Sequence, residues 1–522
     1  MVSNFILKLD NRVSNNKKQL LVLFSLVGLA LIIRLYYIPY QIPISLDGID
    51  YFAYTVAIEK EGYFPTGYLP LNFGWSTFLA PVFWIVGSNE MLELMNIQRI
   101  MSSIISVSTA IPIYFICKTF FKKNISVLGA ALFLFEPRII ENSIVGLSDP
   151  LFIFFVTLTI MFIFIKKSKF FYISFIFAVL AGFTRYEGLL LIIPILISFF
   201  IRKNFEKQTI IKLIIGMILC FSIITLINVT AYENSELNIT TPVFSGINFI
   251  SNFVILDSPS DDENVFDEDV ENKIQLFVNN AITKYLMYLG WIMIPILGLF
   301  IIPGFFLTKK KITKNKIILF IFIGVMSLSS LYAYARGIDE TRYLYPLIPI
   351  LILFACQFFD YIAKKLNIKI ITVTVISIII ILSIMFFEYN KEDYEYEKEM
   401  YNVALFLSNE ADGVNNYHEN KYIKVAELQN NWPELPPKGE NGRMIMITEK
   451  IRIEGFETPS EYIEFNKNRG LTHLLIKVGD KNGFFDDLFY NENKYPLLEK
   501  IVDSNDLDIK TKYKIFKINN EE

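Results

Sequence analysis

The chain has 522 residues, of which 53% are hydrophobic and only 19% are charged. A soluble domain usually carries about 25% charged residues and no long apolar runs, so this composition excludes both an ordinary cytosolic enzyme and a disordered chain. The net charge of −3 provides no basic field for nucleic acid, and we expect no nucleic-acid partner.

Long apolar runs recur along most of the chain, and a spanning helix needs about 20 mainly apolar residues. The first run follows the Lys- and Arg-containing segment 1–19 and has no small-residue cleavage site, so we expect 1–19 to be an uncleaved cytoplasmic segment. The runs predict eleven spans, at 20–38, 100–117, 124–137, 149–165, 170–184, 187–201, 209–231, 284–307, 315–335, 342–360 and 369–388.

The segment 72–87 is short for a span and contains Pro81 and two Trp residues. If it crossed the membrane, the basic loop 118–124 would lie outside. If it is an interfacial or re-entrant segment, this loop and every later basic loop are cytoplasmic, as the bias of Lys and Arg favours. We therefore interpret 72–87 in the second way, within a first outer loop at 39–98, and place an acidic outer loop at 232–283.

The residues after the last apolar run are polar, with short β-rich runs separated by helix-like stretches. This alternation predicts a small α/β domain at 389–522, on the outer face. The fold class is then mostly α: a polytopic membrane domain at 20–388 with this domain attached. We expect a multi-pass cell-membrane protein with a cytoplasmic N-terminus and an extracytoplasmic C-terminal domain.

The three cysteines all lie inside apolar runs, and both histidines, His418 and His473, fall in the polar C-terminal part. This distribution provides neither a disulfide framework nor a thiolate metal cluster. A metal held by the membrane domain would need oxygen ligands, which favours Mg²⁺, Mn²⁺ or Ca²⁺ over Zn²⁺.

Ionisable residues at membrane depth are costly and are functional candidates by default. Here they collect at the predicted outer ends of the spans, and we interpret them as lining one polar cavity that opens outward. Solvated loop charge is the alternative, which explains Asp339 and Glu340 better than Arg185 and Glu187, whose flanks are strongly apolar. The other members are Arg34, Asp47, Asp50, Arg99, Glu136, Arg138, Glu141, Asp149, Arg336 and Arg342.

Carboxylates and arginines together suit one reaction class. A carboxylate can act as a general base, and the planar fork of Arg can hold a phosphate. A hydroxyl that displaces a phosphate needs both groups. A phosphate attached to a long lipid would keep its tail in the bilayer, which would explain an enzyme built from spanning helices.

Several stretches, in order along about residues 20–360, resemble motifs of the GT-C superfamily of membrane glycosyltransferases. The resemblance is to the dolichyl-phosphate-mannose-protein mannosyltransferase-like branch of archaea and bacteria. The stretches are SLDGIDYFAYTVAIEKEGYFP, LNFGWSTFLAPVFWIVG with the span after it, FEPRIIENSIVGLSDPLFIFF, LAGFTRYEGLLLIIP and ETRYLYPLIPILILFA.

The resemblance implies a polyprenyl-phosphate or dolichyl-phosphate hexose, such as mannose, as donor. It implies inverting displacement by a hydroxyl of a protein, lipid or glycan acceptor on the outer face, with membrane lipid as a further partner. Oligosaccharyltransferases of this superfamily carry a Trp-Trp-Asp-x-Gly motif that this chain lacks, and the adjacent Asp-Glu of eukaryotic protein O-mannosyltransferases is also missing. The acceptor is therefore left open.

The resemblance also implies roles for particular residues. Asp50 matches the catalytic base and Asp47 is the second choice; both would share a face if the stretch is helical, although Gly48 makes a loop equally plausible. Arg342 and Tyr343 match the Arg-Tyr-x-x-Pro span whose Arg lies near the donor phosphate, and Arg138 or Arg185 could help to hold that phosphate. Asp149 matches a carboxylate of the second outer loop and is one of three supporting residues. The phosphate-site residues are Arg342, Tyr343, Arg138 and Arg185, and the supporting residues are Asp149, Glu141 and Glu187.

Purely structural roles are the alternative for these residues. Asp50 could cap its helix, Asp149 before Pro150 could N-cap the next span, and Arg342 could snorkel. Arg185 and Glu187 could be only a structural pair. No cofactor is certain: Asp50 and Asp149 could share Mg²⁺ or Mn²⁺, but arginine alone can handle a monophosphate.

The alternative function is a multi-span transporter for a lipid-linked or anionic substrate. A transporter predicts internal repeats and charges near the middle of the membrane. The sequence shows no clear repeat, and its charges lie toward one face. An anchored receptor is a third reading, but eleven spans far exceed what anchoring needs.

Overall fold

The computed structural model describes most of the chain. The described residues are 17–45, 47–62, 64–65, 73–165, 171–202, 207–230, 270–293, 297–308, 313–389, 392–410, 416–418, 420–434, 448–450, 453, 455–505 and 512–519. Most of the predicted segment 1–19, and residues 232–269 of the predicted acidic loop, lie outside them.

Within the described residues the structure is mostly helical. The helices are α1 (Lys17–Tyr37), α2 (Asp47–Glu61), α3 (Gly74–Val86), α4 (Met91–Ser108), α5 (Ala110–Phe120), α6 (Lys123–Leu134), α7 (Pro137–Ile144), α8 (Asp149–Phe164), α9 (Phe171–Thr184), α10 (Ile192–Arg202), α11 (Lys207–Thr230), α12 (Val270–Met293), α13 (Gly298–Thr308), α14 (Lys314–Ala335), α15 (Ile348–Ile362), α16 (Ile368–Tyr389), α17 (Glu392–Glu410), α18 (Ile423–Asn431), α19 (Pro459–Lys467) and α20 (Asp486–Tyr490). Two 3-10 segments, Tyr186–Leu191 and Thr341–Leu347, lead into α10 and α15.

Five strands form one sheet at the C-terminal end of the chain. They are β1 (Asn416–His418), β2 (Thr448–Lys450), β3 (His473–Lys477), β4 (Leu498–Asp503) and β5 (Tyr513–Ile518). Their order is β2-β1-β3-β5-β4. The pairs β1/β2 and β1/β3 are parallel, whereas β5 runs antiparallel to both β3 and β4. The predicted small α/β domain is therefore present.

Every predicted span corresponds to an apolar helix, but the lengths differ. By length and composition, five helices of the described residues can cross a membrane: Lys18–Tyr37, Met91–Phe120, Lys314–Ala335, Thr341–Ile362 and Ile368–Glu388. The predicted span 209–231 lies in α11, which has 24 residues. Four other predicted spans are shorter helices, of which α8 has 16 residues and is about 24 Å long at 1.5 Å per residue. That is less than the roughly 30 Å of a bilayer core.

The predicted span 284–307 is not one straight helix. The structure has two helices there, α12 and α13, whose axes are bent by 111°. In addition, α12 already begins at Val270, inside the predicted acidic loop. An apolar run reports burial or lipid contact but not direction, so a sharp bend within it leaves no hydropathy signal. The interfacial or re-entrant segment predicted at 72–87 is the 13-residue helix α3.

By contacts the chain forms two compact units. The first unit is Met1–Ile38, Leu71–Leu79 and Arg99–Phe387, and the second is Pro39–Pro70, Ala80–Gln98 and Glu388–Glu522. The second unit thus combines most of the first outer loop with the C-terminal domain. The sequence pattern predicts these two parts in different domains, the loop in 20–388 and the other part at 389–522.

The core of the first unit is built around α6, whose residues from Ile125 to Leu134 are all buried. A helix that is apolar on all sides belongs in such an interior, and α6 packs against α1, α5 and α15. A Cβ on Gly129 would lie 2.7 Å from the Cys117 sulfur and 2.8 Å from the Cys356 sulfur. Glycine at this position therefore allows the close packing of α5, α6 and α15.

The sheet of the second unit is covered on both faces, because alternate residues of a strand point to opposite sides. Leu475 and Ile515 face one apolar cluster, whereas Leu474 and Phe516 face another. The first cluster also contains residues of α2, α4, α17 and α18. The outer loop and the C-terminal domain therefore share one hydrophobic core.

Candidate active site

A buried ion-pair cluster lies in the first unit, where α9 ends. Arg185 leaves the helix in an extended conformation (φ −149°, ψ 123°) before the 3-10 segment begins. A Cβ on Gly188 would overlap the backbone of Ala181 and Gly182, so only glycine fits this tight return of the chain. The turn places the Arg185 side chain next to the start of α8.

Arg185 binds two carboxylates at once. Its Nη1 donates to Asp149 Oδ1 at 2.6 Å, and its Nε donates to Glu187 Oε1 at 2.6 Å. All three side chains are at most 8% exposed. The guanidinium also lies over the Tyr343 ring, 5.2 Å from its centroid. The three side chains together carry a formal charge of −1. Removing one partner of such a buried ion pair destabilises a protein by about 3–5 kcal/mol.

Asp149 does not cap α8, contrary to the capping alternative. The N-cap residue is Ser148, and Asp149 is the first residue of the helix, followed by Pro150. Its Oδ1 accepts the Arg185 hydrogen bond. Its Oδ2 is buried and has no hydrogen-bond partner in the part of the chain that the structure describes. The helix N-terminus favours a negative charge at this position.

The 3-10 segment Thr341–Leu347 brings further charges to this region. The charges of Arg185, Arg342, Glu187 and Glu340 act on the Tyr343 hydroxyl. The charges of Glu141, Arg138 and Asp149 act on the hydroxyl of Tyr345, two residues further on. The first unit thus gathers seven residues of the predicted site: Arg138, Glu141, Asp149, Arg185, Glu187, Arg342 and Tyr343.

Three of these seven residues have surroundings of their own. Arg342 pairs with the neighbouring Glu340. Arg138 donates from Nε to the Trp291 carbonyl at 3.2 Å and lies over the indole ring. Burial raises the pKa of the Glu141 carboxyl above its ordinary value, although the charge of Arg138 acts in the opposite direction.

Asp47 and Asp50 lie in the second unit, in the first turn of α2. The stretch is helical, so the loop alternative raised by Gly48 is wrong. Both aspartates are exposed, and Asp50 forms an ion pair with Lys424 of α18. Gln98 holds this turn by donating to the Gly48 carbonyl at 3.2 Å.

Arg34 of α1 has a structural environment. It is fully buried and donates to the carbonyls of Ala30 and Leu134 and to the hydroxyls of Ser143 and Ser106, at 3.0–3.4 Å. These bonds tie α1 to α6, α7 and α4. Arg34 therefore acts as a clamp between helices rather than as a lining residue of a cavity.

Two residues near the candidate site were not singled out from the sequence. Tyr345 stands in the quoted stretch ETRYLYP, so its position two residues after Tyr343 was a usable signal. Lys424 lies in the C-terminal domain, where the sequence carries no matching motif, and only the folded second unit reveals its contact with Asp50.

The described residues do not assemble a metal site. Among them, no group of three or more His, Cys, Asp or Glu side chains could hold an ion. Asp149, one of the two aspartates proposed to share Mg²⁺ or Mn²⁺, already gives one oxygen to Arg185. The carboxylates of the described residues therefore do not offer the ligand set that a bound metal needs.

Comparisons with known proteins agree with this architecture. Residues 77–230 match a family model described as dolichyl-phosphate-mannose-protein mannosyltransferase. No curated protein sequence matched the chain. The structure is similar to ArnT from Cupriavidus metallidurans bound to undecaprenyl phosphate, with a TM-score of 0.53, 9% identity, and coverage of 94% of this chain and 97% of that chain.

The structure is also similar to an oligosaccharyltransferase from Archaeoglobus fulgidus. In its complex with Zn and sulfate the TM-score is 0.52 at 10% identity, with 87% of this chain and 68% of that chain covered. For its apo form the TM-score is 0.50, again at 10% identity. The helices and these likenesses make the chain an integral membrane protein. The fold expected from the resemblance is confirmed, because the chain shares it with these two membrane-enzyme structures over most of its length.

Proposed function

We propose that this protein is a glycosyltransferase that moves a sugar from a polyprenyl-phosphate donor to an acceptor hydroxyl. The observation that carries the proposal is the buried charged cluster around Arg185, inside an apolar helical unit. The fold supports it, because ArnT, which shares this fold over 94% of the chain, binds undecaprenyl phosphate. Mannose is the first sugar to test, since the matching family model names it.

The proposed reaction is a single displacement. The acceptor oxygen attacks the anomeric carbon while the bond from that carbon to the phosphate oxygen breaks. The lipid phosphate leaves with the bonding electron pair, and a carboxylate takes the proton of the acceptor hydroxyl. Inversion at the anomeric carbon follows from this geometry.

We assign the phosphate to Arg342, Arg138 and Tyr343. Arg342 and Tyr343 are adjacent on one 3-10 segment, and Arg138 lies within electrostatic reach of Tyr345 on the same segment. Arginines that face a growing phosphate charge in a water-poor site are often the largest single term in catalysis. Glu141 and Glu187 have supporting roles, because their carboxylates offset the positive charges of Arg138 and Arg185.

We assign the base to Asp50, with Asp47 as the second choice. Asp50 is half exposed in the first turn of α2, so its carboxylate is accessible from solvent. Its ion pair with Lys424 keeps it oriented. An accessible carboxylate within reach of the acceptor is what a general base for a hydroxyl requires.

The test is donor turnover by the purified full-length protein in detergent with added lipid. Radiolabelled polyprenyl-phosphate mannose and glucose are supplied, and release of the lipid phosphate is followed with and without EDTA. We expect turnover in the wild type and a loss of about 10²–10⁴-fold in Asp50→Asn, the usual range for a general base. The double variant Asp47→Asn/Asp50→Asn tests the second choice.

The matched control is Asp360→Asn, because Asp360 is a half-buried carboxylate paired with Lys364 at the end of α15. It should keep wild-type turnover. A folded wild type that neither turns over nor binds any polyprenyl phosphate would refute the transferase proposal and favour transport.

We further propose that the N-terminus is cytoplasmic and that the C-terminal domain lies outside, because the basic loops then share the inner side. A membrane-impermeant maleimide should label Lys421→Cys in intact cells and leave Lys364→Cys unlabelled. The reverse pattern would invert the topology.

A further inference from the structure

The surroundings of Arg185 are those of a residue that orients a carboxylate. Two of its donor nitrogens already serve Asp149 and Glu187. A phosphate approaching this guanidinium would meet two buried carboxylates, and the three side chains together carry a formal charge of −1. Like charges in a poorly solvated site repel strongly, so this position is unsuited to binding an anion.

The same contacts hold Arg185 in a fixed orientation. Its guanidinium lies 5.2 Å from the centroid of the Tyr343 ring and 5.9 Å from that of the Phe152 ring. The tight turn at Gly188 fixes its backbone. Because two ion pairs restrain the planar fork, the direction of the Asp149 carboxylate is set by Arg185 rather than by a helix cap.

The Asp149 carboxylate is left with one oxygen to use. Oδ1 accepts from Arg185, whereas Oδ2 is buried without a hydrogen-bond partner among the described side chains and backbone groups. A buried, unpaired carboxylate oxygen is costly, and such an atom in a native structure calls for a partner. A substrate hydroxyl is a donor of the right kind.

We propose that Arg185 is a positioning residue that binds Asp149 through Oδ1 and holds Oδ2 ready to accept a hydrogen bond from a substrate hydroxyl. The inference rests on the proposed transferase function and replaces the phosphate-binding role expected for Arg185. The hydroxyl belongs either to the transferred sugar or to the acceptor, and binding measurements distinguish the two sources.

The experiment compares Arg185→Lys with wild type in the full-length protein. Lysine keeps the charge but loses the fork that reaches both carboxylates. Affinities are measured for bare undecaprenyl phosphate and for polyprenyl-phosphate mannose, and turnover is resolved into kcat and KM. We expect kcat to fall by about 100-fold, as a misplaced group of this kind costs, with the affinity for the bare lipid phosphate unchanged within twofold.

The sugar-bearing donor locates the hydroxyl. Weaker binding of polyprenyl-phosphate mannose, but not of undecaprenyl phosphate, supports a hydroxyl on the transferred sugar. Unchanged binding of both ligands, together with the loss of kcat, supports a hydroxyl on the acceptor. An equal loss of affinity for both ligands, as we expect for Arg342→Lys, overturns the inference and restores Arg185 to the phosphate site.

Two further variants separate positioning from simple damage to the fold. Glu187→Gln removes the other ion pair but keeps the Asp149 contact, so its kcat should fall much less than that of Arg185→Lys. In an Asp149→Asn background, Arg185→Lys should cause no further loss of kcat, because it acts through Asp149. Additive losses, or equal losses in Glu187→Gln, would show a merely structural role. A wild type without donor binding or turnover sinks the proposed function instead.

Discussion

Glu136 shows how much a single buried side chain can reveal. It lies two residues after the end of α6 and is the N-cap residue of α7. It is fully buried, and neither carboxylate oxygen has a hydrogen-bond partner among the described residues, although the charge of Arg138 acts on it. Placing a carboxyl in such surroundings without partners costs free energy. A residue of this kind persists in a fold only if the rest of the packing compensates for it.

We predict that Glu136→Met increases the free energy of unfolding by about 1–3 kcal/mol, because it removes an unpaired buried polar group at similar volume. Thermal unfolding in detergent measures the change. The control is Glu499→Met, at an exposed position of β4, which should stay within about 0.5 kcal/mol of wild type. A strongly destabilised Glu136→Met would mean that this carboxyl has a stabilising partner.

At the residue scale, the sequence pointed to the unusual charged residues, but it did not show which of them form ion pairs. Arg185 and Glu187 stand in a strongly apolar stretch, and that contrast was enough to single them out. The second partner of Arg185, Asp149, lies 36 positions before it. Nothing in the sequence says that Arg185 would pair with two acids, and this pairing is the basis of the positioning role that we propose for it.

At the scale of elements, close helix contacts in the first unit depend on glycine. A Cβ on Gly304 of α13 would overlap the Phe354 carbonyl of α15, whereas a Cβ on Gly324 of α14 has nothing within 4 Å. The two positions therefore form a matched pair, one in close contact with a neighbouring helix and one in open space.

We predict opposite effects of alanine at these two positions. Gly304→Ala should destabilise the protein, since α13 and α15 must separate, at a cost of about 1–3 kcal/mol typical of overpacking. Gly324→Ala should stabilise it by roughly 0.5–1 kcal/mol through helix propensity. Thermal unfolding in detergent compares both with wild type, and equal effects of the two substitutions would contradict the helix contact.

The edge of the sheet in the second unit contains a charge cluster with a clear dependence on pH. Lys514 of β5 is buried, donates to the Phe489 carbonyl at 2.7 Å, and pairs with Glu492 and more distantly with Asp503. Desolvation raises the pKa of each carboxyl. For Glu492 the bond to Lys514 and the charges of Lys514 and Lys500 outweigh it, and the pKa is lowered. For Asp503 the backbone bond of Asn505 and the same lysine charges have this effect.

A carboxyl whose pKa is lowered by folding stabilises the folded state at pH values above its ordinary pKa. That contribution is lost as the pH falls through the folded pKa values, that is, below about pH 4. We predict that protection of β4 and β5 from hydrogen exchange, corrected for intrinsic rates, falls between pH 6 and pH 3.5. The fall should be smaller in Glu492→Gln, which lacks one of the two carboxylates. A sheet whose protection is independent of pH would contradict this account.

Element positions were more predictable than element directions. Apolar runs located a helix for every predicted span because burial and lipid contact both select apolar residues. The same runs gave no sign of the 111° bend between α12 and α13, since a bend changes which neighbours a helix meets but not its composition.

At the scale of the whole molecule, the second unit joins segments that are far apart in sequence. Its shared core contains Ile49, Phe52 and Val56 of α2 together with Val403 and Leu407 of α17. Hydropathy could separate a membrane part from a polar C-terminal part, but it could not show that a loop at 39–98 packs with residues beyond 388. Such contacts depend on side-chain fit between distant segments, which composition does not encode.

Trp432 offers a test of the contact between the first outer loop and the C-terminal domain. It follows α18, its indole nitrogen donates to the Asn89 carbonyl at 2.5 Å, and its ring packs 5.7 Å from that of Phe52. Lys60 Nζ lies 5.5 Å from the centroid of the indole and donates to the Pro433 carbonyl. One side chain thus contacts two separate stretches of the first outer loop.

We predict that Trp432→Ala destabilises the second unit by about 1–3 kcal/mol, less than the 3–5 kcal/mol of a fully buried Trp because this ring is half exposed. The expected sign is faster proteolytic cleavage within 39–98, although the substitution lies more than 300 positions away. Trp432→Phe keeps the aromatic contact with Phe52 and loses only the hydrogen bond, so its cleavage rate should fall between those of Trp432→Ala and wild type. If cleavage at 39–98 is the same in all three proteins, the outer loop keeps its structure without the C-terminal domain, and the shared core contributes little to its stability.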